Sequence, residues 1–308
     1  MGKIDDIQAY KEWTEYHRSL KRDKAADNLS PVERKKKLEK LEANVIEWIL
    51  FFFSEFAKYP FTKFHKKAIK RITTNMEWYE VLSWSRELAK STIVFMCMMY
   101  LVLTGKKKNV LLISNSHENA VRLLEPYKKA FESNSMLKAY YGDLREFGSW
   151  TADEFTLTTG ATFRAIGALE SPRGTRKDAV RPDTALVDDF DTDADCRNPD
   201  ILKKKWEWFE EALFPTRSIS EDLLVIFCGN LIALDCCVKR AGDKADHWDI
   251  VNIRDKDGKS SWPEKNTEER INRIQSKIST KAFQQEYMNN PLSEGCLLYT
   301  SPSPRDRG

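Results

Sequence analysis

Four short apolar runs constrain this chain more than any other feature: Trp78–Trp84, Asn109–Ser114 (NVLLIS), Thr184–Val187 and Leu223–Cys228 (LLVIFC). Three of them are near-continuously hydrophobic rather than alternating, the pattern of strands buried on both faces. Helical stretches separate them, with a buried type over Ser91–Leu103, an amphipathic one over Glu118–Phe131 and a Trp-rich one over Asp200–Leu213. Strands alternating with helices mean βαβ units and a mainly parallel sheet flanked by helices. Glu154–Thr158 and Thr162–Ile166 read as a hairpin around Gly160. In such sheets ligands bind at the carboxyl ends of the strands, so chemistry is sought there.

Ahead of Asn75 the texture is helical. Trp48, Phe51, Phe52 and Phe56 recur at i+3/i+4 spacing, and Pro60 breaks the run before a helix near Phe61–Ile72. The aromatic stripe reads as packing. The expected organisation is a helical segment over residues 1–75, an α/β domain over 76–291 and a truncated linker with a non-native tail over 292–308. That tail, CLLYTSPSPRDRG from Cys296, departs from the texture of the rest and resembles translated sequencing-adapter read-through.

A net charge of +3 does not by itself indicate a nucleic-acid partner. The cations are unevenly spread, however: Arg34–Lys37, then Lys63, Lys66, Lys67, Lys70 and Arg71 make the first quarter basic, as a solvated helix face or as a polyanion contact. The six cysteines form no CxxC pair and the four histidines are scattered, which gives a structural zinc site no support. Cys97 and Cys228 lie in apolar runs and read as buried thiols of a reducing compartment. The longest apolar runs, Val45–Phe53 and Ile93–Leu103, fall short of the ~20 residues that span a bilayer, so a soluble intracellular protein with no membrane partner is expected.

Three segments carry candidate chemistry. Arg86-Glu87-Leu88-Ala89-Lys90-Ser91-Thr92 follows a strand and opens an apolar helix, the setting in which backbone N–H groups hold phosphate. Lys90 would reach the β/γ-phosphates and Ser91 would ligate Mg²⁺. The usual G-x-x-x-x-G-K-[ST] pattern fails, because Trp84 and Ala89 stand at the glycine positions; a helix N-terminus with a solvated lysine is the competing reading. Ala185-Leu186-Val187-Asp188-Asp189 is a strand ending in paired acids, suited to a metal ligand at Asp188 and to a carboxylate, Asp189, that orients or deprotonates water. A plain acidic loop competes, since Asp191, Asp193 and Asp195 follow. Leu223–Cys228 leads into Gly229-Asn230, which either places a side chain near a γ-phosphate or makes an ordinary turn. No adenine pocket is located; Trp78 and Tyr79 either stack on a base or pack.

Together these segments resemble the large terminase family of tailed phages. The similarity extends through Ser171-Pro172-Arg173-Gly174-Thr175-Arg176, Arg181-Pro182-Asp183, Phe227-Cys228-Gly229-Asn230, Ser261-Trp262-Pro263-Glu264 and Phe283–Pro291. It covers roughly Phe61 to Pro291. The resemblance implies an additional-strand P-loop ATPase that binds ATP and Mg²⁺ and drives double-stranded DNA into a procapsid as a homo-oligomeric ring. Portal protein and small terminase subunit are the implied partners, and the infected host's cytoplasm, not the virion, the implied location. Arg86, Ala89, Lys90, Ser91 and Thr92 would bind nucleotide; Ser91 and Asp188 would hold the metal; Asp189 and Arg86 would be catalytic; Gly229 and Asn230 would couple. Arg173 and Arg176 are further candidates for an arginine finger or a DNA contact. The second acid is Asp where many such ATPases have Glu, one methylene longer. A nuclease part is expected to be missing. Another DNA-dependent P-loop ATPase of helicase-like type, or an inactive DNA- or capsid-binding module, are the competing readings.

Overall fold

The computed structural model describes residues 29–172 and 181–292. Three helices come first: α1 (Pro31–Glu42), α2 (Val45–Phe52) and α3 (Lys63–Thr74). Then follow β1 (Trp78–Trp84), α4 (Lys90–Leu103), β2 (Asn109–Ser114), α5 (His117–Ser133) and α6 (Ser135–Tyr141). Next come β3 (Arg145–Trp150), β4 (Glu154–Leu157), β5 (Thr162–Gly167), β6 (Thr184–Asp188), α7 (Asp193–Cys196) and α8 (Pro199–Glu207). The described chain closes with β7 (Leu224–Cys228), α9 (Cys237–Gly242), β8 (His247–Val251), α10 (Glu268–Gln275) and α11 (Thr280–Met288).

The eight strands form one sheet in the order β3-β4-β5-β2-β6-β7-β1-β8. Every pairing from β5 to β8 along that order is parallel, while β3–β4 and β4–β5 are antiparallel. The β4–β5 hairpin turns at Gly160, whose φ of +83° is open to glycine at no steric cost. β7 lies between β1 and β6, so the ends of β1, β7 and β6 stand side by side although they are far apart in sequence.

Strand side chains alternate between two cores. Leu82, Val110, Leu112, Leu186 and Ile226 face one cluster with α4 and α5; Val81, Leu111, Val187, Val225 and Phe227 face the other with α8 and α9. Helix α4 is apolar all round and buried throughout Ile93–Val102, as a helix must be when other helices cover it. The cover is α2 and α3: Trp48 packs on Tyr100 at 5.4 Å and Phe53 on Phe95 at 5.4 Å. The aromatic stripe is thus packing, and residues 31–74 share one apolar cluster with the sheet.

Two local departures from the sequence reading have physical causes. Asp200–Leu213 is not one α-helix. α8 gives way at Trp208–Leu213 to a π-helical turn and at Phe214–Thr216 to a 3₁₀ turn. The wider turn lets Trp206 stack on Phe209 while the Trp208 indole donates to the Glu170 carbonyl at 2.6 Å. Trp78 and Tyr79 sit at the amino end of β1, with Tyr79 against Phe209 and the Trp78 indole donating to Glu80. They pack, at the end of the sheet away from the strand termini where ligands bind.

Candidate functional site

Between β1 and α4 the loop Ser85–Ala89 makes a left-handed bend without glycine. Glu87 has φ +71° and Ala89 φ +59°, ψ +29°. Each costs on the order of 1–3 kcal/mol and persists only where surroundings hold it. The restraints are specific. The Glu87 carbonyl accepts from Lys265 Nζ at 2.8 Å and Asn266 Nδ2 at 3.1 Å. The Leu88 carbonyl accepts from His65 Nε2 at 3.0 Å, and His65 Nδ1 in turn accepts from the Thr62 N–H. That fixes a neutral imidazole, and burial pushes its pKa down to about 4. The amides of Ser85 and Arg86 donate to the Val251 and Glu286 carbonyls. With its carbonyls engaged, the loop leads into α4, whose first N–H groups have no intrahelical acceptor.

Ala89, Lys90, Ser91 and Thr92 line a cleft of about 470 Å³, together with Arg86, Asp189 and Asn230. That volume falls within the range of small-molecule sites. Ser91 Oγ donates to Asp188 Oδ2 at 2.6 Å, joining the start of α4 to the end of β6. Lys90 Nζ donates to Asn230 Oδ1 at 3.2 Å, joining it to the end of β7. A Cβ at Gly229 would stand 2.3 Å from Val238 Cγ2, so a larger residue there would have to displace that side chain. Burial raises the Asp188 pKa to about 6, against the pull of Lys90, with Asp189 raising it further. Asp189 is exposed at the rim with φ +47°.

The acidic run divides by role. Asp195 pairs with Lys205 at 2.8 Å, Asp193 accepts from Gln285, and Asp191 Oδ2 accepts from the Cys237 and Val238 amides. Asp188 is the member bonded to Ser91, while Asp189, Asp191 and Asp193 line the cleft. Arg86 is pinned by Glu286, Nε to Oε2 at 2.5 Å, and its side chain stays 65% exposed. Glu286 also accepts from Asn230 Nδ2 through its carbonyl at 3.1 Å. Arg173 and Arg176 lie outside the described residues.

Of the residues singled out in the sequence, Arg86, Ala89, Lys90, Ser91, Thr92, Asp189 and Asn230 line this cleft, and Asp188 is buried beside it, bonded to Ser91. Sequence reasoning gave no role to His65, Lys265, Asn266 or Glu286. Glu286 lies inside the quoted Phe283–Pro291 segment, the one signal that pointed to it. Away from the cleft, Glu80, His247 and Asp249 form the one group of three potential His, Cys, Asp or Glu metal ligands among the described residues. The Arg71 guanidinium already bridges Glu80 and Asp249, at 2.6 and 2.7 Å. A cation is thus built in.

The crystal structure of the HK97 bacteriophage large terminase aligns over 81% of this chain with a TM-score of 0.54 and 15% identity. In fold, the chain is similar to a phage large terminase. It spans 55% of the length of that protein. The Thermus phage P74-26 large terminase ATPase domain aligns over 78% of this chain and 97% of its own, at 16% identity and a TM-score of 0.46. No protein-family profile matches the chain, and no curated protein matches it. Among the described residues no helix is long and apolar enough to cross a membrane.

Proposed function

We propose that the cleft is a Mg·ATP site and that the chain is the ATPase motor domain of a phage large terminase, hydrolysing ATP to move double-stranded DNA into a procapsid. The observation that carries this reading is the convergence of Lys90, Ser91, Asp188 and Asn230 from three neighbouring strand ends, closed by the 2.6 Å Ser91–Asp188 bond. The sheet order supports the additional-strand P-loop class, because β7 separates the strand before the phosphate loop from the strand bearing the acids. The missing glycines do not favour the inactive module: Ala89 takes the left-handed conformation that glycine would supply.

The donor set fits Mg²⁺, with a hydroxyl and a carboxylate oxygen side by side and room for water. Ser91 Oγ and Asp188 would hold the ion, which when bound neutralises phosphate charge. The chain's own groups do the rest. Lys90 releases Asn230 to meet the terminal phosphates, and α4's free N–H groups hold them from below. Asp189, exposed at the rim, orients the attacking water and accepts its proton. Asn230, freed from Lys90, reports that phosphate is present to β7 and α11. Arg86 stabilises charge developing on the transferred group once it leaves Glu286. Ring assembly and contact with portal protein and small terminase subunit are part of the same proposal, and the likeness in fold favours it over a helicase-like ATPase.

The test is ATP turnover by the purified chain with Mg²⁺, with and without duplex DNA, beside Asp189→Asn. Metal-dependent turnover lost in the variant, with nucleotide binding retained, is the expected result. Equal turnover in both proteins, or none in the wild type, overturns the assignment.

A further inference from the structure

Helix α3 carries Lys63, Lys66, Lys67 and Lys70, all exposed, on the face opposite buried His65, Ala68, Ile69 and Ile72. The arrangement is electrostatically unfavourable. The lysines stand at i, i+3, i+4 and i+7, so each faces like charge, and two of them sit in the first turn where the helix dipole repels cations. No acid occurs in that first turn, nor anywhere from Lys63 to Thr74. Other helices of this chain do the opposite: Arg122 pairs with Glu118, Lys129 with Glu125 and Lys203 with Glu207, each at i,i+4. The four α3 lysines have no ion-pair partner among the described residues, and the face they occupy exposes no large hydrophobic side chain. Arg71, the next cation along, is spent inward on Glu80 and Asp249 and anchors the far end of the helix.

We infer that this lysine stripe is a docking surface for the phosphate backbone of duplex DNA, read without regard to sequence. The choice of duplex DNA rests on the DNA-translocating function proposed above; the charge argument by itself selects a polyanion. A protein partner fits less well, since lysine is depleted at protein interfaces and no aromatic or apolar anchor accompanies these four. Lys63 to Lys70 spans about 10 Å of helix axis, which matches roughly three phosphates of one strand. The amino end of α3 is tied to the phosphate loop through the His65–Leu88 bond, so DNA held on the stripe lies against an element that supports the nucleotide site.

The experiment is fluorescence anisotropy of a mixed-sequence 30-base-pair duplex from 50 to 200 mM KCl. It compares the full chain with a Lys63→Gln, Lys66→Gln, Lys67→Gln, Lys70→Gln variant and with the corresponding four-fold Lys→Arg variant. Glutamine keeps helix propensity and removes the repulsion, so circular dichroism and thermal midpoint should hold. The glutamine variant should show a salt slope shallower by about 2.7, so that the wild type loses about 40-fold more affinity than the variant across that salt range. The arginine variant should retain the wild-type slope. An unchanged slope in the folded glutamine variant overturns the inference, as does a wild type that does not bind the duplex. Equal, equally stripe-dependent binding of poly-L-glutamate would show an acidic protein surface as the partner and overturn the DNA assignment. DNA-free ATP turnover in the same preparations separates the two ideas: turnover with an unchanged slope sinks the stripe alone, and a changed slope without turnover sinks the ATPase alone.

Discussion

The two ends of the sheet use the same residue types to opposite effect. At the amino end Lys107, 2% exposed, gives its ammonium to the carbonyls of Met76 and Asp222 at 2.9 and 3.0 Å. Beside it Asp183 accepts from the Lys108 and Asn109 amides and from the Thr184 hydroxyl, and Glu77 accepts from Arg217 and the Leu223 amide. Each of the three has at least one main-chain partner, with Arg217 and the Thr184 hydroxyl added on Glu77 and Asp183, and the ends of four strands are closed by them. At the carboxyl end Lys90 meets a side-chain amide, Asp188 a hydroxyl, and Arg86 a carboxylate on another element. Each of those partners can rotate away. A buried lysine bonded to the main chain is architecture; one bonded to a movable side chain is available to a ligand.

Substitutions at the two ends should therefore fail in different ways. The largest effect is expected at the carboxyl end, where Asp189→Asn should lower ATP turnover by about 10²–10⁴-fold with little change in thermal midpoint. Lys90→Ala should do so through weaker nucleotide binding, read by titration of a fluorescent ATP analogue. If either variant instead unfolded with turnover per folded molecule intact, the two ends would not differ in kind. Next in size is a pH effect at the support of the loop. The buried His65 has its pKa pushed down to about 4, against 6.5 for an exposed imidazole. Between those values the unfolded chain binds a proton that the folded chain refuses. The contribution is whole above pH 6.5 and is lost as pH falls toward 4, up to about 3 kcal/mol. Urea midpoints at pH 7 and pH 4.5 should diverge more for the wild type than for His65→Gln.

At the amino end, Lys107→Met keeps the apolar stem but takes the ammonium donor from two carbonyls. Equilibrium unfolding should show a loss of about 1–3 kcal/mol, while any ATP turnover per folded molecule should equal that of the wild type. Smallest is Ala89→Gly, which relieves a left-handed alanine and should stabilise by about 1 kcal/mol in the same assay. Destabilisation by glycine would mean that the bend is not held as described.

Legibility in the sequence followed burial. The runs at β1, β2, β6 and β7 are central strands, hydrophobic on both faces, and their bounds fall within a residue of the expected ones. β3 (REFGSW) and β8 (HWDIV) are edge strands whose outer sides meet water, so neither forms an apolar run and neither was expected. The phosphate-loop candidate was legible from Lys90-Ser91 at a strand-to-helix junction, and the acids from their place at the end of β6. What supports them was not legible. His65, Lys265, Asn266 and Glu286 act across separations of 23 to 200 residues, and single polar residues in loops and helix faces leave no periodic trace.

The position of β1 also has a consequence for the order in which the chain folds. β1 is the first strand of the described sheet to leave a ribosome, yet its two partners are β7 and β8, the last two. Leu224 follows Trp84 by about 140 residues, which at roughly 5–20 residues per second is a wait of about 7–28 s. Through that interval the strand WYEVLSW, aromatic and mostly hydrophobic, has both hydrogen-bonding edges open and is a template for pairing with other chains. Helices α2 and α3, made just before it, can cover one of its faces at once, but nothing made earlier than β7 can close an edge. Yield of soluble protein should therefore depend on how quickly residues 224–251 are delivered, more than on the stability of the finished fold.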